Sequence, residues 1–412
     1  MLLTAPLRHR DFRLLWAGMA VSLLGDGVFL VAVAWQAYEI SNSPSALAYI
    51  GVATSLPQVL LLLVGGAVGD RFARRTILIC ADLARGAAVA VLSVAVESGH
   101  ARLYELCAAG AIIGTATAFA APTFDALVPQ LVAETQLTQA NAIEQFVRPA
   151  ALQLAGPALG GIAVALLRPA GSFALDAASF AFSALCIWRI TPRPAPPERG
   201  GTSLRQEMVA GLGYVRGRSW LWATFLSATV TYLLFLGPTQ VLLPYIVRNA
   251  LHEGAAAYGT VLAIGGAGAL AGALFAGQRR HPQHAMVWIY TAWTVATLAV
   301  AGYGLASDAA GLAGAAFVVN GAEAAGTVVW ATLKQRRVAN AMLGRVSSID
   351  WCISTALLPL SYAIAAPAAH LFGARGTLLL AGTVGAVVTL GFLWVPGVRA
   401  PDSALAAARA PG

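Results

Sequence analysis

Long apolar runs constrain the fold of this chain more than any other feature of the sequence. Each run has the length that an α-helix needs to cross the hydrocarbon core of a bilayer, which is about 20 residues. Because 58% of the 412 residues are hydrophobic and only 11% are charged, an ordinary soluble domain is excluded. The sequence therefore predicts an all-α integral membrane protein.

The runs predict twelve transmembrane helices in two sets of six. The first set has the approximate limits 12–38, 47–68, 76–96, 103–121, 138–167 and 171–190. The second set has the limits 220–247, 255–276, 285–305, 310–331, 346–370 and 376–395. A polar segment rich in Pro and Gly separates the sets and is typical of a linker. We therefore expect an N-terminal bundle over 1–190, a cytoplasmic linker over 191–218, and a C-terminal bundle with a short cytoplasmic tail over 219–412.

Short sequence matches indicate that the two halves repeat. Gly69-Asp70-Arg71 ends the second run, and Gly277-Gln278-Arg279 ends the eighth. Leu137 and the residues after it open the fifth run, just as Leu343 opens the eleventh, at nearly the same offset. Repeated bundles of six helices are used by secondary transporters, so the pattern predicts two pseudo-symmetric six-helix bundles.

The distribution of positive charge predicts topology rather than nucleic-acid binding. Most of the 26 Lys and Arg residues lie on alternate polar segments, which places those segments and both termini in the cytoplasm. The external segments would hold Arg102, Arg168, Arg248 and Arg375. The net charge of +8 is thus explained by a multi-pass protein with cytoplasmic termini.

Enzymatic and nucleotide-binding motifs are missing from the sequence. The single lysine, Lys334, follows Leu333, whereas the lysine of a phosphate-binding loop follows a glycine. No such loop is therefore present in the sequence, and transport driven directly by ATP hydrolysis is excluded. The four cysteines fall inside apolar runs without the spacing of metal ligands. We expect no enzyme activity, no cofactor and no metal.

Two pairs of charged residues inside the runs can neutralise each other. Asp82 and Arg85 are separated by three positions, and Glu144 and Arg148 by four, so each pair can share one helix face. Structural and transport roles both stay open for these four residues. Arg148 is the more interesting, because about ten residues of helix would place it roughly 15 Å deep.

Four further acids have no such partner on their own helix, and an ionisable group inside a membrane is a functional candidate. Asp26 would lie near the bilayer centre, where desolvation disfavours the ionised form, and could carry a proton or receive a cationic substrate. Glu323, with Asn320 on the same face, is the second candidate. Asp176 would be hydrated near the external end of the sixth run. Asp350 could be a first-turn acid at the start of the eleventh.

Tryptophans near the ends of the runs suggest an interfacial belt. Trp16, Trp188, Trp220, Trp330 and Trp394 are examples. Such a belt explains these residues without a ligand.

The segment 65–78 interrupts the apolar sequence with one acid and three arginines, and it carries a family resemblance. The pattern Gly66, Asp70, Arg71, Arg74 and Arg75 resembles the loop between helices 2 and 3 of the major facilitator superfamily, although Ala73 replaces the usual Gly. The resemblance implies a gating loop, in which Asp70 meets the positive end of the eleventh span and stabilises the outward-open state. The alternative is a solvated positive loop that only marks topology.

A second motif resembles that of antiporters in the same superfamily. It comprises Gly156, Pro157, Gly160 and Gly161, with Leu152 where a leading glycine is expected. Proline bends a helix and glycines let a partner approach, so plain helix packing is the alternative. The fourth run lacks the arginine of many proton-coupled members, which leaves Arg148 or Arg85 for that role.

Phrases at 137–141, 176–180 and 344–348 resemble the subgroup of enterobactin exporters and related multidrug efflux proteins. This resemblance implies the major facilitator fold, with spans 1, 4, 7 and 10 around a central cavity. The residues then expected near cargo are Asp26, Thr115, Thr117, Tyr232, Gln240, Asn320 and Glu323.

The function implied is export of amphipathic organic molecules, drugs or siderophore-like compounds, across the bacterial plasma membrane. Transport would proceed by alternating access with proton antiport, so the expected partners are a small-molecule substrate, protons and the lipid bilayer, with the chain a monomer. The alternatives are an importer or uniporter of a small nutrient on the same fold, and a membrane scaffold or sensor that does not transport.

Overall fold

The computed structural model describes residues 5–133, 136–192, 204–278 and 282–402. These residues form thirteen α-helices. The N-terminal ones are α1 (Arg10–Ile40), α2 (Pro44–Arg71), α3 (Arg74–Glu97), α4 (Leu103–Leu131), α5 (Leu137–Pro149) and α6 (Gly156–Trp188). The others are α7 (Leu204–Arg216), α8 (Ser219–Tyr245), α9 (Ala255–Gln278), α10 (Ala285–Leu305), α11 (Ala309–Arg337), α12 (Asn340–Ala356) and α13 (Leu358–Phe392).

Ten helical segments of the described residues are long and apolar enough to cross a membrane. Two of them exceed the length of one crossing, because Phe146–Trp188 has 43 residues and Met342–Phe392 has 51. These two segments cover the regions in which two pairs of spans were predicted. The all-helical membrane fold is thus confirmed, and the count of twelve crossings stays a prediction.

Each of these long helical segments contains one residue with a non-helical backbone. Arg168 in α6 has φ 60° and ψ 174°, and Gly373 in α13 has φ 72° and ψ 162°. Positive φ suits glycine, whereas it is strained for a side chain such as that of Arg168. Pro169 follows directly and disfavours helical backbone at the residue before it. The helix therefore kinks at Arg168.

The chain divides into two compact units. The N-terminal unit comprises Met1–Arg199 and Val247–Ala263, and the C-terminal unit comprises Gly200–Ile246 and Ile264–Gly412. In the N-terminal unit α6 packs on α1 and α3, and α3 packs on α4. In the C-terminal unit α13 packs on α8 and α10, and α10 packs on α11. The same pattern of pairs recurs in the two units, as expected for an internal repeat.

Glycine allows the closest helix contacts in both units. A Cβ on Gly114 of α4 would overlap the carbonyl group of Thr54 in α2. A Cβ on Gly272 of α9 would overlap the backbone of Gly321 in α11 in the same way. Lipid provides no hydrophobic drive for helix association, so such close backbone contacts contribute directly to packing.

The predicted linker is helical over part of its length. Helix α7 lies inside it, and Gly211 of α7 packs against Ile349 of α12. The hydroxyl of Tyr214 accepts a hydrogen bond from the backbone N–H of Ala339 at 3.3 Å. Residues 193–203 of the predicted linker lie outside the described residues.

Asp402 caps a helix from the far end of the C-terminal unit. Its Oδ1 accepts a hydrogen bond from the backbone N–H of Met286, in the first turn of α10, at 2.9 Å. The side chain is buried, and Arg337 donates to the carbonyl of the adjacent Pro401 at 2.9 Å. The segment before the C-terminus is thereby fastened to α10 and α11.

We expect Asp402→Ala to lower the stability of the protein by about 1 kcal/mol, the usual effect of losing a helix cap. Asp402→Asn keeps an oxygen acceptor and should melt close to the wild type. Tryptophan-fluorescence melting of the detergent-purified variants measures both effects. Equal melting of Asp402→Ala and the wild type would contradict the capping role.

Candidate functional site

A cavity of about 400 Å³ lies inside the C-terminal unit. Residues of α8, α10, α11, α12 and α13 line it. The polar and aromatic members of the lining are Thr224, Ser227, Thr231, Tyr232, Phe235, Trp293, Thr297, Glu323, Thr327, Trp330, Asp350, Ser354, Thr355 and Thr389. The wall thus combines hydroxyl groups, aromatic rings and two carboxylates.

Glu323 is the carboxylate of this cavity that no cation neutralises. The hydroxyl of Tyr232 on α8 donates a hydrogen bond to its Oε1 at 3.1 Å. None of the ion pairs formed by the described residues includes Glu323. The predicted candidates Tyr232 and Glu323 therefore meet in the cavity, where a negative charge is held next to aromatic surface.

Asp350 is the second carboxylate of the wall, and a lysine pairs with it. Lys334 of α11 forms an ion pair with its Oδ2, and Trp330 Nε1 donates to the same oxygen at 3.1 Å. The expectation of a first-turn acid is wrong, because α12 already begins at Asn340. Asp350 lies well inside this helix, and Lys334 rather than the helix terminus compensates its charge.

An aromatic cluster surrounds Trp330, which lines the cavity. The Trp330 ring lies 5.8 Å from that of Trp220, 6.1 Å from that of Phe225 and 6.2 Å from that of Trp293, measured between centroids. Trp16, Trp220 and Trp330 are buried, so their predicted place in an interfacial belt is wrong. Exposed Trp188 and Trp394 remain consistent with such a belt.

Two other predicted cargo residues of the C-terminal unit do not line this cavity. Gln240 accepts a hydrogen bond from the hydroxyl of Tyr362 through its Oε1. Asn320 donates from Nδ2 to the carbonyl of Ala316 at 2.9 Å, one turn earlier on α11. Both amides have protein partners, and neither is among the residues that line the cavity.

Thr115 and Thr117 lie on α4, and their predicted contact with cargo stays a prediction. Thr117 donates to the carbonyl of Ile113 at 2.8 Å within α4. Thr115 lines a second cavity of about 550 Å³, which has an apolar wall formed by α2, α3 and α4. Among the described residues, neither threonine forms a hydrogen bond with an acid of the N-terminal unit.

Asp26 lies on α1 where that helix packs against α6, and Asp176 of α6 is its neighbour. A Cβ on Gly25 would overlap Ser179 Oγ and contact Asp176 Oδ1, so the two helices touch at this level. The carboxyl group of Asp176 therefore lies beside the stretch of α1 that carries Asp26. The expectation that Asp176 is hydrated is wrong, since only 1% of the residue is exposed.

Both pairs expected within single helices form. Arg85 donates to Asp82 Oδ1, and Arg148 Nη2 lies 2.9 Å from Glu144 Oε1. The side chain of Arg148 is 46% exposed, and its depth in the membrane stays a prediction. Asp82 and Arg85 are buried on α3, which makes theirs the pair inside the protein.

Two arginines in the first turn of α3 bind backbone carbonyls rather than only solvent. Arg74 Nη1 donates to the carbonyl of Ala126 at 2.6 Å. Arg75 donates to Ile187 O at 3.2 Å and to Trp188 O, both at the carboxyl end of α6. Positive charge there complements the helix dipole.

The remaining residues of this gating motif are less constrained. Arg71 is exposed, and a Cβ on Gly66 would meet no atom within 4 Å. The side chain of Asp70 lies outside the described residues, and its contact with the eleventh span stays a prediction.

Arg75→Ala should destabilise the protein by about 0.3–1 kcal/mol, because the carboxyl end of α6 loses a charged donor. The exposed Arg71→Ala is the matched control and should melt like the wild type. Thermal melting at low and high salt tests the assignment, since screening weakens a charge–dipole interaction. A larger effect of Arg71→Ala than of Arg75→Ala would refute it.

The proline–glycine motif lies at an irregular point of the helix that leads into α6. Ala150–Ala155 form a π-helical segment directly before Gly156 and Pro157. Gly156 packs against Gly27 and Gly160 packs against Val28, both of α1, while Gly161 packs against Ala256 of α9. The motif therefore gives close packing at a π segment, a feature that is frequent at functional sites.

Residues 3–357 match the family model described as transmembrane secretion effector, a family of the major facilitator superfamily. The chain belongs to this family. Macrolide efflux protein A of Streptococcus pyogenes is 26% identical over 381 residues, which are 90% of this chain and 93% of that protein. The multidrug efflux pump Tap of Mycobacterium tuberculosis (strain ATCC 25618 / H37Rv) is 26% identical over 65% of each chain.

A third relative matches over a shorter share of its length. The uncharacterized MFS-type transporter YfiS of Bacillus subtilis (strain 168) is 27% identical over 275 residues. These residues make up 65% of this chain and 63% of the relative. The similarity to the enterobactin exporters stays a prediction, since the matches support the superfamily and efflux relatives in general.

Solved structures show the same fold. A bacterial homologue of the iron transporter ferroportin has a TM-score of 0.69 at 18% identity and covers 94% of this chain and 99% of its own. The nucleoside transporter NupG has a TM-score of 0.68 at 9% identity, and the match covers 92% of this chain and 98% of NupG. At these identities the likeness establishes the fold alone. The protein is a multi-pass membrane transporter of the major facilitator fold.

The sequence analysis did not identify Trp293 and Trp330 as site residues, and it did not predict that Asp176 lies next to Asp26. Trp293 and Trp330 line the cavity, and Asp176 neighbours Asp26. Trp330 follows Glu323 by seven positions, two helical turns on the same face, so a helical projection around Glu323 could have found it. Trp293 and Asp176 depend on contacts between helices, for which a single sequence gives no signal.

Proposed function

We propose that this transporter exports amphipathic organic molecules, cationic ones in particular, across the bacterial plasma membrane in exchange for protons. The observation that carries the proposal is Glu323, a carboxylate without a cationic partner among the described residues, in a cavity lined by aromatic rings. Such a site attracts a positively charged group to the carboxylate and apolar surface to the rings.

The relatives support the direction of transport. Macrolide efflux protein A and the multidrug efflux pump Tap are exporters by name, and the first aligns with 90% of this chain. Structural neighbours include a nucleoside transporter and a POT family transporter in complex with a peptide, so the fold itself does not fix direction or cargo. An importer of a small nutrient is the rival proposal.

The proposed cycle is alternating access between two six-helix bundles, with limits at 1–190 and 219–412 and both termini in the cytoplasm. Glu323, Tyr232 and the aromatic wall bind cargo, and Asp26 takes part in proton coupling. The segment with Gly66, Asp70 and the three arginines gates the cycle, and the Gly156–Gly161 motif bends α6.

Flux in proteoliposomes tests the proposal. Tetraphenylphosphonium, a monovalent apolar cation, should accumulate in vesicles of acidic interior, in which protons leave as cargo enters. One-for-one exchange against a gradient of one pH unit gives up to about tenfold accumulation. Accumulation that ignores the gradient would contradict proton exchange.

Direction is tested in cells. Expression in a drug-sensitive bacterium should lower the steady-state content of tetraphenylphosphonium, and removal of the pH gradient at constant membrane potential should restore it. A content that rises on expression would contradict export and favour the importer.

A further inference from the structure

A second buried charged site lies inside the N-terminal unit and is separate from the cavity of Glu323. We call it the acid centre, and it consists of Asp26 on α1, Asp82 and Arg85 on α3, and Asp176 on α6. Helix α6 packs on both α1 and α3, which brings the three helices together. The proposed cargo site does not use these residues.

Two acids of this centre are buried without full hydrogen bonding, and Asp26 is half-buried. Asp176 is 1% exposed and Asp82 is 3% exposed. The Oδ2 atom of each has no hydrogen-bond partner among the described residues. A buried carboxylate oxygen without a partner is unfavourable unless a proton or another positive charge compensates it.

Arg85 already serves one acid of the centre. It forms an ion pair with Asp82 Oδ1, and its guanidinium lies 4.5 Å from the centroid of the Phe180 ring. Both contacts fix the guanidinium on α3 beside α6. Asp82 and Arg85 therefore form a pair of zero net charge, which leaves the carboxyl groups of Asp26 and Asp176 uncompensated.

The surroundings of Asp26 offer little further positive charge. The charged groups that act on it are Arg85, Asp82 and Arg148, together with Asp176. Arg148 is largely exposed and already paired with Glu144, so its field is screened by solvent and by that acid. Three carboxylates thus share one close guanidinium.

Asp176 lies where α1 and α6 are in direct contact, beside the backbone of Gly25 and therefore next to Asp26 in the chain. The contact at Gly25 brings the backbone beside Asp26 against Asp176 and Ser179. Ser179 Oγ donates to the backbone carbonyl of Asp176 at 2.8 Å and lies 3.3 Å from its Oδ1, which holds the side chain in place. Two uncompensated carboxyl groups at one helix contact in a low-dielectric interior favour uptake of a proton.

We infer that Asp26 and Asp176 together take up and release the coupling proton, with Asp82 and Arg85 as fixed positioning residues. The inference rests on the proposed exchange and assigns its proton to the N-terminal unit. One proton enters the carboxyl pair as one cationic cargo molecule leaves the Glu323 cavity, so charge balances. Asp176 is thereby a functional residue rather than a hydrated acid.

The first test separates coupling from transport. Asp176→Asn should lose the roughly tenfold accumulation of tetraphenylphosphonium that a gradient of one pH unit drives in the wild type. Counterflow, in which labelled tetraphenylphosphonium exchanges with unlabelled compound without a gradient, should persist. Asp26→Asn should behave alike. Glu97→Gln, an exposed acid at the end of α3, is the matched control and should keep both activities.

The second test needs no cargo. A ligand of the folded state stabilises it, so uptake of the proton should raise the melting temperature of the wild type as the pH falls. This rise should be smaller in Asp176→Asn and Asp26→Asn and unchanged in Glu97→Gln. A sodium titration at constant pH should leave all four proteins unaffected.

The outcomes distinguish this inference from the proposed function. No counterflow of any cationic probe by the wild type would refute the proposed function, and the melting series would still decide the inference. The inference would be wrong if both Asn variants still accumulated tetraphenylphosphonium when a pH gradient is imposed. It would also be wrong if their melting temperatures kept the pH dependence of the wild type. The proposed export would stand in either case. Stabilisation by sodium that Asp176→Asn abolishes would also overturn it, in favour of a sodium site.

Discussion

Glu323→Gln is expected to weaken binding of tetraphenylphosphonium by roughly 30-fold, which corresponds to about 2 kcal/mol. The glutamine keeps the size of the side chain and its acceptor for the Tyr232 hydroxyl, so the cavity should keep its shape. What the variant loses is the negative charge next to the Trp293 and Trp330 rings. Isothermal titration calorimetry on the detergent-purified protein measures the change.

A neutral ligand of similar shape provides the control for this prediction. Triphenylphosphine oxide carries no net charge, and its affinity for Glu323→Gln and for the wild type should be nearly equal. Tyr232→Phe removes one neutral hydrogen-bond donor. It should weaken cation binding only severalfold, because such a hydrogen bond contributes about 1 kcal/mol. Equal losses for both ligands would show that the cavity collapses, and an unchanged affinity for the cation would remove Glu323 from the cargo site.

The sequence predicted best those interactions that are local along the chain. Asp82 with Arg85 and Glu144 with Arg148 lie three and four positions apart, and helix geometry alone brings each pair together. Membrane spans are local as well, because a run of apolar residues must form its own backbone hydrogen bonds inside a bilayer. The helical membrane fold therefore followed from hydropathy.

Interactions between helices could not be predicted from the sequence. Asp176 looked hydrated from its position near a span end, yet packing of α6 on α1 buries it beside Asp26. Asp350 looked like a first-turn acid, yet Lys334 reaches it from the preceding helix. In each case the partner lies on another helix, and one sequence without contacts does not reveal which helix faces meet.

Two predicted cargo residues bond within their own helices, and their contact with cargo stays a prediction. Thr117 and Asn320 bond to carbonyls one turn earlier, which satisfies them without a ligand. Their type and position predicted cargo contact equally well before the structure showed these bonds. Only Tyr232 and Glu323 of the predicted cargo residues meet in the cavity of the C-terminal unit, because each turns toward the other across α8 and α11.

Lys334→Met is expected to produce the largest loss of stability, about 3 kcal/mol, because it leaves the carboxylate of Asp350 without its cation. The side chains of Lys334 and Asp350 are only 12% and 18% exposed, so solvent compensates the isolated charge poorly. Trp330 Nε1 would remain as the donor to Asp350, and one neutral hydrogen bond does not replace an ion pair. The melting temperature of the detergent-purified variant measures the loss.

The double variant Lys334→Met with Asp350→Asn identifies the cause of that loss. It removes the unpaired charge while the Asn oxygen still accepts from Trp330, so most of the lost stability should return. Arg336→Met is the matched control, since it removes an exposed positive charge from the same last turn of α11 and should have little effect. A double variant that melts as early as Lys334→Met would show that the lysine stabilises the helix bundle by packing rather than by neutralising Asp350.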